Sequence, residues 1–328
     1  MKLIQVGIGG MGNAWLRAVL DSPVAEFVAF VEVNERIAAE QAQKYNLTGV
    51  PVYRSLDEAL RNVRADGVIN VTPPQFHKAV SITALEAGAP VLSEKPLADT
   101  RHAALDIVAA ADRTGVLHMV TQNYRYKPPI QTLKRALREG GMGEIGAVHV
   151  EFFKGPHFGG FREEMAYPLI IDMAIHHFDL MRFFLESDPV QLYGRSWNPP
   201  WSWFKGDASA AVVLDFASGV TVSYDGSWCS QGRETTWNAN WRFECAHGVV
   251  AMVDDQVYTQ ATGQEPTLVA PVVMERTDQA YLLHEFYAAV TQGKPAITTC
   301  QDNIKSLGIV FDIVESFERG AVVRSALA

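Results

Sequence analysis

Five short apolar runs alternate with helix-like segments in the first 123 residues, and this alternation restricts the possible folds more than any other feature. The runs include LIQVG (3–7), FVAFVEV (27–33) and GVINVT (67–72), which are apolar throughout rather than at every second position. Strands of this kind belong to a parallel sheet that helices cover on both faces. We therefore predict a doubly wound α/β domain over residues 1–123.

The pattern changes after residue 123. The apolar stretch around IIDMAIHHFDLM predicts a helix from Pro168 to Leu185, and paired strand-like segments follow with hairpin turns at Ser218-Gly219 and His247-Gly248. Two further helix-like segments close the chain. We expect residues 124–328 to form a second, α+β domain with a mainly antiparallel sheet, and the terminal helices are candidates for packing on the first domain.

Composition excludes several classes of protein. The 28 Lys and Arg residues against 37 Asp and Glu residues give a net charge of −9, which argues against nucleic-acid and anionic-membrane partners. The three cysteines are far apart and lack CxxC spacing, so neither a disulfide framework nor a zinc site is indicated. The N-terminus has no signal-peptide pattern and no apolar run reaches about 18 residues. We expect a cytoplasmic protein.

The segment VGIGGMG places glycines at positions 7, 9 and 12, with G-x-G-x-x-G spacing. It follows a predicted strand and opens a helix, which is the context in which this motif binds a dinucleotide. Gly7 allows the tight turn, Gly9 lets the backbone approach a pyrophosphate, and Gly12 allows close helix–strand contact. The amide groups around Gly10 and Met11 are expected to face the phosphates at the start of the helix.

An acidic residue, Glu32, lies twenty positions after Gly12 at the end of the second strand. In dinucleotide-binding domains this position contacts the ribose hydroxyls of the adenosine. A 2′-phosphate close to Glu32 would meet repulsion of roughly 4 kcal/mol per unit charge at an effective dielectric near 20. The sequence therefore predicts NAD rather than NADP; a solvated glutamate at a strand end is the alternative.

The segment IIDMAIHHFDLM (170–181) sets two aspartates and two histidines in an apolar stretch, where each must find a partner. In an α-helix, Asp172 and His176 share a face, whereas His177 is rotated by about 100°. The spacing lacks the H-E-x-x-H pattern of a helical metal site, so no metal is expected. Two interpretations of Asp172 and His176 remain open. Either His176 relays a proton, or the two side chains only hydrogen-bond each other. We expect His177 to bond Asp179 or the backbone, and Asp179 to be structural.

Four segments in this order, VGIGGMG, VINVTPPQFH, VLSEKPLA and IDMAIHHFDL, resemble the Gfo/Idh/MocA family, which includes glucose–fructose oxidoreductase and inositol dehydrogenase. The resemblance covers essentially the whole chain, and the EKP triplet is its most specific element. It implies a Rossmann domain followed by an α+β domain with a large open sheet. It also implies NAD(P)-dependent chemistry on a sugar or polyol, no metal, and a homodimer or homotetramer formed through that sheet.

The resemblance assigns roles to individual residues. Lys95 matches the lysine that contacts the reacting hydroxyl, and Asp172 and His176 match a carboxylate–histidine pair, so these three are the predicted catalytic residues. Lys95 is expected to stabilise a developing alkoxide and His176 to accept its proton. The predicted cofactor-binding residues are Gly7, Gly9, Gly10, Met11, Gly12, Glu32, Thr72, Pro73, His77, Glu94, Lys95 and Asn123.

The substrate side of the predicted site departs from the family pattern. Tyr167 and Pro168 stand where family members often carry small residues, so the known family substrates do not transfer directly. The substrate candidates come from two segments. They are Arg125 and Tyr126 of QNYRY, His157 and Arg162 of the loop 155–165, and Tyr167 just after that loop. The Trp-rich segment 197–204 is expected to pack within the protein, with an oligomer interface and sugar stacking as alternatives.

The sequence therefore predicts an NAD-dependent dehydrogenase acting on a secondary alcohol of a sugar, inositol or related polyol. A dehydrogenase of a dihydrodiol or imine-type substrate is the first alternative. A non-catalytic, nucleotide-sensing regulator on the same fold is the second, although such a protein is expected to have lost Lys95 or His176, and both are present.

Overall fold

The computed structural model of the protein describes residues 1–47 and 49–325. The chain divides into two compact units. The first comprises Met1–Asn123 and Arg276–Ile304, and the second comprises Tyr124–Glu275 and the described residues from Lys305 onward.

A parallel sheet forms the centre of the first unit, as predicted. Six strands pair in the order β3-β2-β1-β4-β5-β6 in the part of this unit that the structure describes. The order reverses between β1 and β4, and in such sheets the crevice for a ligand lies at the carboxyl ends of the strands where the order reverses. The strands are β1 (Lys2–Val6), β2 (Glu26–Val31), β3 (Val52–Tyr53), β4 (Gly67–Asn70), β5 (Val91–Ser93) and β6 (His118–Val120).

Several helices of the first unit begin or end at identifiable capping residues. The side chain of Asn34 accepts hydrogen bonds from two amides at the start of its helix, and Thr100 and Ser55 each cap another helix. Gly115 ends a helix in the left-handed conformation that glycine adopts without strain. These helices are α1 (Gly12–Leu20), α2 (Glu35–Lys44), α3 (Leu56–Asn62), α4 (Pro74–Glu86), α5 (Arg101–Thr114) and α8 (Asp278–Gln292).

The second unit contains a large mixed sheet, which confirms the predicted architecture. Its nine described strands pair in the order β14-β13-β12-β11-β7-β10-β9-β8-β15, and every pairing is antiparallel except that of β7 with β10. The strands are β7 (Ile145–Phe153), β8 (Pro189–Trp197), β9 (Ser209–Phe216), β10 (Thr221–Ser227), β11 (Asn240–Cys245), β12 (Gly248–Val253), β13 (Gln256–Ala261), β14 (Thr267–Leu268) and β15 (Val323–Arg324).

One face of this sheet is buried and the other is open. On β9, Ala210, Val212 and Leu214 are buried, whereas Val213 between them is 46% exposed. Phe178 contacts Tyr224 of the buried face, with ring centroids 5.3 Å apart. The helices of the unit are α6 (Pro128–Glu139), α7 (Ile175–Leu185) and the part of α9 (Cys300–Arg319) that follows Ile304.

The predicted helix from Pro168 to Leu185 is two structures rather than one. Leu169–Ala174 forms a π-helix, and α7 begins at Ile175. A π-helix closes i→i+5 hydrogen bonds, so the spacing of an ideal α-helix does not apply to its residues. The prediction of one continuous α-helix through Asp172 and His176 was therefore wrong.

In the ranges 1–47 and 49–325, none of the helices is long and apolar enough to cross a membrane.

Candidate active site

The glycine turn of the first unit is closed at its ends and open in its middle. Gly7 has a φ of +85°, and a Cβ there would lie 2.8 Å from the Val71 carbonyl oxygen. A Cβ on Gly12 would lie 2.9 Å from the Gly7 oxygen. At Gly9 and Gly10, by contrast, a Cβ would meet nothing within 4 Å. The middle of the turn thus has room for a group that approaches the backbone.

A buried glutamine holds this turn in shape. The Nε2 atom of Gln5 donates to the carbonyl oxygen of Gly7 at 3.0 Å and to that of Gly12 at 3.2 Å. Gln5 was not predicted from the sequence. The available signal was a polar residue in an apolar strand directly before the glycines, because such a residue is fully buried only when it has partners.

Glu32 lies beside the same turn. Its Oε2 atom accepts a hydrogen bond from the Ile8 amide at 3.2 Å, and its Oε1 atom accepts one from the Asn34 amide at 2.9 Å. The pairing of β1 with β2, with Val6 opposite Val31, brings the two strand ends together. The carboxylate is thus held at the edge of the turn where adenosine ribose binds in dinucleotide-binding domains.

The turn and Glu32 together fit a dinucleotide. Helix α1 starts at the turn, and its N-cap residue Met11 makes no side-chain capping bond. Amide groups at a helix start, next to backbone that lacks side chains, form a site for a pyrophosphate. Gly7, Gly9, Gly10, Met11 and Gly12 are the residues of this chain that would hold it.

Two further predicted residues, Thr72 and Pro73, lie in the turn after β4. The Thr72 amide and hydroxyl both donate to Oδ1 of the buried Asn70, at 3.2 and 2.7 Å. Pro73 is the N-cap residue of α4. Because β4 is next to β1, this turn and the glycine turn lie at the same edge of the sheet.

The EKP segment follows β5 at that edge. Glu94 is buried and accepts a hydrogen bond from Nε1 of Trp15 at 2.7 Å. The Lys95 amide donates to Glu94 Oε2 and to the Thr121 hydroxyl, each at 3.2 Å. The Lys95–Pro96 peptide bond is cis. Glu94 is therefore a structural anchor for the backbone that carries Lys95.

Asn123 is the last residue of the first segment of this unit. Its Nδ2 atom donates to Oδ1 of Asp278 at 3.3 Å. The bond ties the end of the parallel sheet region to the start of α8.

In the second unit, the predicted catalytic histidine lies in the first turn of α7. His176 is 5% exposed, and its ring stacks on Tyr124 with centroids 4.2 Å apart and planes 17° apart. The ammonium group of Lys127 lies 3.6 Å from the centroid of Tyr124. Tyr124 was not singled out in the sequence, although its neighbours in QNYRY were.

Asp172, in the π-helix, is paired with a residue of the preceding loop. Nε of Arg162 donates to Asp172 Oδ2 at 2.5 Å, and both side chains are partly exposed. The Arg162 guanidinium also lies over the rings of Phe158 and Phe161. The structure therefore brings the predicted carboxylate together with one of the predicted substrate residues.

Arg125 is committed to a buried ion pair. Its Nε and Nη2 atoms donate to the two carboxylate oxygens of Asp179 at 2.7 and 2.8 Å, and the Ser306 hydroxyl donates to the same carboxylate at 2.7 Å. Arg125 is 4% exposed and Tyr126 is 3% exposed. This burial favours a role in packing for both residues over contact with substrate.

His177 bonds the backbone, which was one of its two predicted partners. Its Nε2 atom lies 3.2 Å from the Trp237 carbonyl oxygen, and its Nδ1 atom lies 3.3 Å from the Tyr224 hydroxyl. One acceptor and one hydroxyl suit a neutral ring with a single N–H. Burial lowers the pKa of His177 to about 4, so the ring is neutral at pH 7. The other predicted partner, Asp179, bonds Arg125 instead.

The remaining substrate candidates lie among aromatic rings. His157 stacks on Trp203 with centroids 3.8 Å apart, and Nε1 of Trp203 donates to the Pro156 oxygen. Tyr167 contacts Phe317, and burial raises the pKa of its hydroxyl. In the Trp-rich segment, Trp201 also donates to a backbone oxygen, that of Cys229. These bonds tie Trp201 and Trp203 to neighbouring backbone, while Trp197 and Trp201 are 39% and 55% exposed.

In the part of the chain that the structure describes, no three His, Cys, Asp or Glu side chains gather as a metal site.

Comparison with known proteins identifies the class. Residues 1–122 match the profile of an oxidoreductase family with an NAD-binding Rossmann fold, and residues 130–258 match the GFO/IDH/MocA C-terminal domain. The chain thus has the NAD-binding domain of an oxidoreductase. It belongs to the GFO/IDH/MocA family.

Relatives of known activity are similar along most of their length. A D-apiose dehydrogenase from Paraburkholderia graminis is 28% identical over 97% of this chain and 88% of its own. An inositol 2-dehydrogenase from Arthrobacter is 28% identical over 86% of this chain and 82% of its own. An oxidoreductase from Agrobacterium radiobacter, crystallised with NAD⁺, L-tartaric acid and magnesium, has the same fold, with a TM-score of 0.90 at 21% identity over 99% of this chain and 98% of its own.

Proposed function

We propose that this protein is an NAD-dependent dehydrogenase that transfers a hydride between the nicotinamide and a secondary alcohol or ketone of a sugar, inositol or related polyol. The similarity to apiose and inositol dehydrogenases over most of the chain is the observation that carries this proposal. The open glycine turn and the placement of Glu32 support the cofactor assignment.

The chemistry requires that a proton leave the alcohol as its carbon gives up a hydride. Bound NAD supplies the acceptor for that hydride. His176 is the proposed base for the hydroxyl proton, since imidazole exchanges protons near neutral pH. Lys95 is the proposed electrostatic partner of the developing alkoxide.

Asp172 is proposed to hold a substrate hydroxyl or to support the imidazolium form of His176. Its ion pair with Arg162 orients the carboxylate, because a charge-assisted bond of 2.5 Å restricts both side chains. Arg162 keeps N–H groups besides Nε, and guanidinium N–H groups are suitable donors to the oxygens of a polyol. The loop that carries Arg162 is therefore proposed to take part in substrate recognition.

We further propose that NAD is preferred over NADP. The carboxylate of Glu32 is held by the amides of Ile8 and Asn34 at the ribose end of the site, where it would repel a 2′-phosphate. A Glu32→Ala variant should lose most of the preference for NAD, measured as the ratio of the two dissociation constants. An unchanged ratio would remove Glu32 from this role.

The face of the second-unit sheet that is open in the monomer is proposed to mediate a homodimer or homotetramer. Apolar side chains on it, including Tyr193 and its register partner Val213, are 44% and 46% exposed. Single exposed apolar side chains are common on protein surfaces, but contiguous ones mark association sites, and these two side chains are direct neighbours in the sheet.

The direct test of the proposed reaction is a screen of sugars, inositols and polyols with NAD, followed by absorbance of the reduced nicotinamide. We expect turnover with at least one polyol and none with dihydrodiols or imine-type compounds. Turnover confined to the latter would favour the first alternative substrate class, and NAD binding without turnover of any compound would favour a sensor.

A further inference from the structure

The family resemblance predicts His77 as a cofactor-binding residue. In the structure, its ring instead contacts two backbone carbonyl groups. His77 lies on α4, and its side chain is fully buried. Nδ1 lies 2.7 Å from the Pro96 carbonyl oxygen, and Nε2 lies 2.7 Å from the Thr72 carbonyl oxygen. The ring therefore spans the turn after β4 and the turn that carries Lys95.

Both partners of this ring are carbonyl oxygens, which only accept hydrogen bonds. A neutral imidazole has a single N–H and can bond one of them, while the other contact sets two lone pairs against each other. The imidazolium form donates to both. His177 provides the contrast within the same protein, because it pairs one carbonyl with a hydroxyl and is satisfied when neutral.

The surroundings of His77 act on its protonation in opposite directions. Burial lowers its pKa below the ordinary value near 6.5, whereas the carbonyl groups of Pro96, Thr72 and Leu97 and the Glu94 carboxylate act to raise it. A further titratable group facing it is His118 on β6, whose own pKa is about 3, so that ring carries no charge near neutral pH. On its own helix, Lys78 is paired with Asp106 of α5.

We propose that His77 is a positioning residue whose imidazolium form clamps the Thr72 turn to the Lys95 turn, and that NAD binding draws a proton onto it. This inference rests on the proposed function for the use of Lys95, but not for the clamp itself. Cofactor binding requires the turn after β4 and the glycine turn in one arrangement. Only the doubly protonated His77 ring donates both to Thr72 in the turn after β4 and to Pro96 in the turn that carries Lys95.

The sign of the linkage follows from the two forms of the ring. If the clamped form binds NAD more tightly, then binding raises the pKa of His77 and protons are taken up. NAD affinity then falls as the pH rises from the pKa of free His77, which lies on the acid side of 6.5, to the higher pKa of His77 in the complex. Each unit by which binding raises this pKa corresponds to roughly a tenfold change in affinity across that range.

The experiment is calorimetry of NAD binding to the full chain in buffers of different ionisation enthalpy between pH 5 and 8. We expect proton uptake in the wild type, and in His77→Gln no uptake together with NAD affinity weaker by about tenfold at the acid end. His118→Gln is the matched control, because this neighbouring buried histidine stays neutral over the range, and it should keep the uptake. Uptake that persists in His77→Gln would overturn the proposal.

A measurement on the unmodified protein covers the case in which His77→Gln does not fold. Nitrogen NMR of labelled histidines should show the His77 ring with two protonated nitrogens at the acid end of the range and in the NAD complex. A ring with one protonated nitrogen under both conditions would contradict the clamp. Neither measurement depends on substrate turnover, so a failed polyol screen would leave this test intact.

Discussion

At the scale of single residues, the glycines of the dinucleotide turn have different physical tasks. Gly7 is required by the fold, since its positive φ and its contact with Val71 exclude a side chain. Gly9 is not required by the fold, because nothing described in the protein occupies the space of its missing Cβ. The sequence motif contains both glycines without distinguishing their roles. Only the structure shows that the fold requires Gly7 and does not require Gly9.

This difference predicts opposite effects of the same substitution. Gly9→Ala should leave the free energy of unfolding nearly unchanged and weaken NAD binding by about tenfold or more, because the added methyl group fills the space of the pyrophosphate. Gly7→Ala should lower stability by at least about 1–2 kcal/mol, since a left-handed backbone is costly for alanine. Equal NAD affinity in Gly9→Ala and the wild type, measured by calorimetry, would contradict the assignment.

Three residues that shape the site were missed at this scale: Gln5, Trp15 and Tyr124. Gln5 bonds backbone oxygens of the neighbouring glycine turn. Trp15 and Tyr124 act through contacts with distant parts of the chain, namely the bond from Trp15 to Glu94 and the stacking of Tyr124 on His176. Local patterns do not encode contacts of this kind. The glycines and the acidic residue at the strand end were accessible from sequence because their function depends on spacing along one βαβ unit.

At the scale of secondary-structure elements, the strands and helices of the first unit followed from apolar runs and capping residues. The π-helix before α7 did not. The segment is apolar on nearly all sides, so its periodicity carries little information about which face each residue occupies. Asp172 of this π-helix pairs with Arg162, and π-helical turns are frequent at functional sites.

Helix α7 also carries a buried histidine with consequences for stability. The pKa of His177 is lowered from 6.5 to about 4, so the unfolded chain binds a proton there more readily than the folded one. Its contribution to stability is complete above pH 6.5 and is lost as the pH falls toward 4, by up to about 3 kcal/mol. His118, with a pKa of about 3, acts in the same direction.

The prediction is that His177→Gln loses less stability than the wild type between pH 7 and 4, as followed by urea unfolding. Glutamine keeps a donor for the Trp237 oxygen and an acceptor for the Tyr224 hydroxyl but does not titrate. The acid sensitivity that remains should include the contribution of His118. Parallel pH curves for the two proteins would show that His177 is not responsible.

At the scale of the whole molecule, the fold class and family followed from the sequence, and the open face of the large sheet adds an expectation about assembly. Among charged and small side chains, this face exposes Tyr193 and Val213 as neighbours in register. A charge placed there should oppose association through this face, because burying an unpaired carboxylate is costly.

We predict that the wild type sediments as a dimer or tetramer at micromolar concentration and that Val213→Glu shifts it toward monomer without loss of stability. Val52→Glu is the matched control, since Val52 is 43% exposed on a strand of the first unit. A monomeric wild type, or an equal effect of both substitutions, would refute association through this face.

The central claim is that His176 takes the proton of the reacting alcohol. Turnover and NAD affinity should be measured for His176→Ala with the best polyol substrate, and for His102→Ala as a control, since the His102 side chain is 85% exposed. The account predicts that kcat of His176→Ala falls by about 10²–10⁴-fold while NAD affinity is retained. Unimpaired turnover by His176→Ala would contradict it.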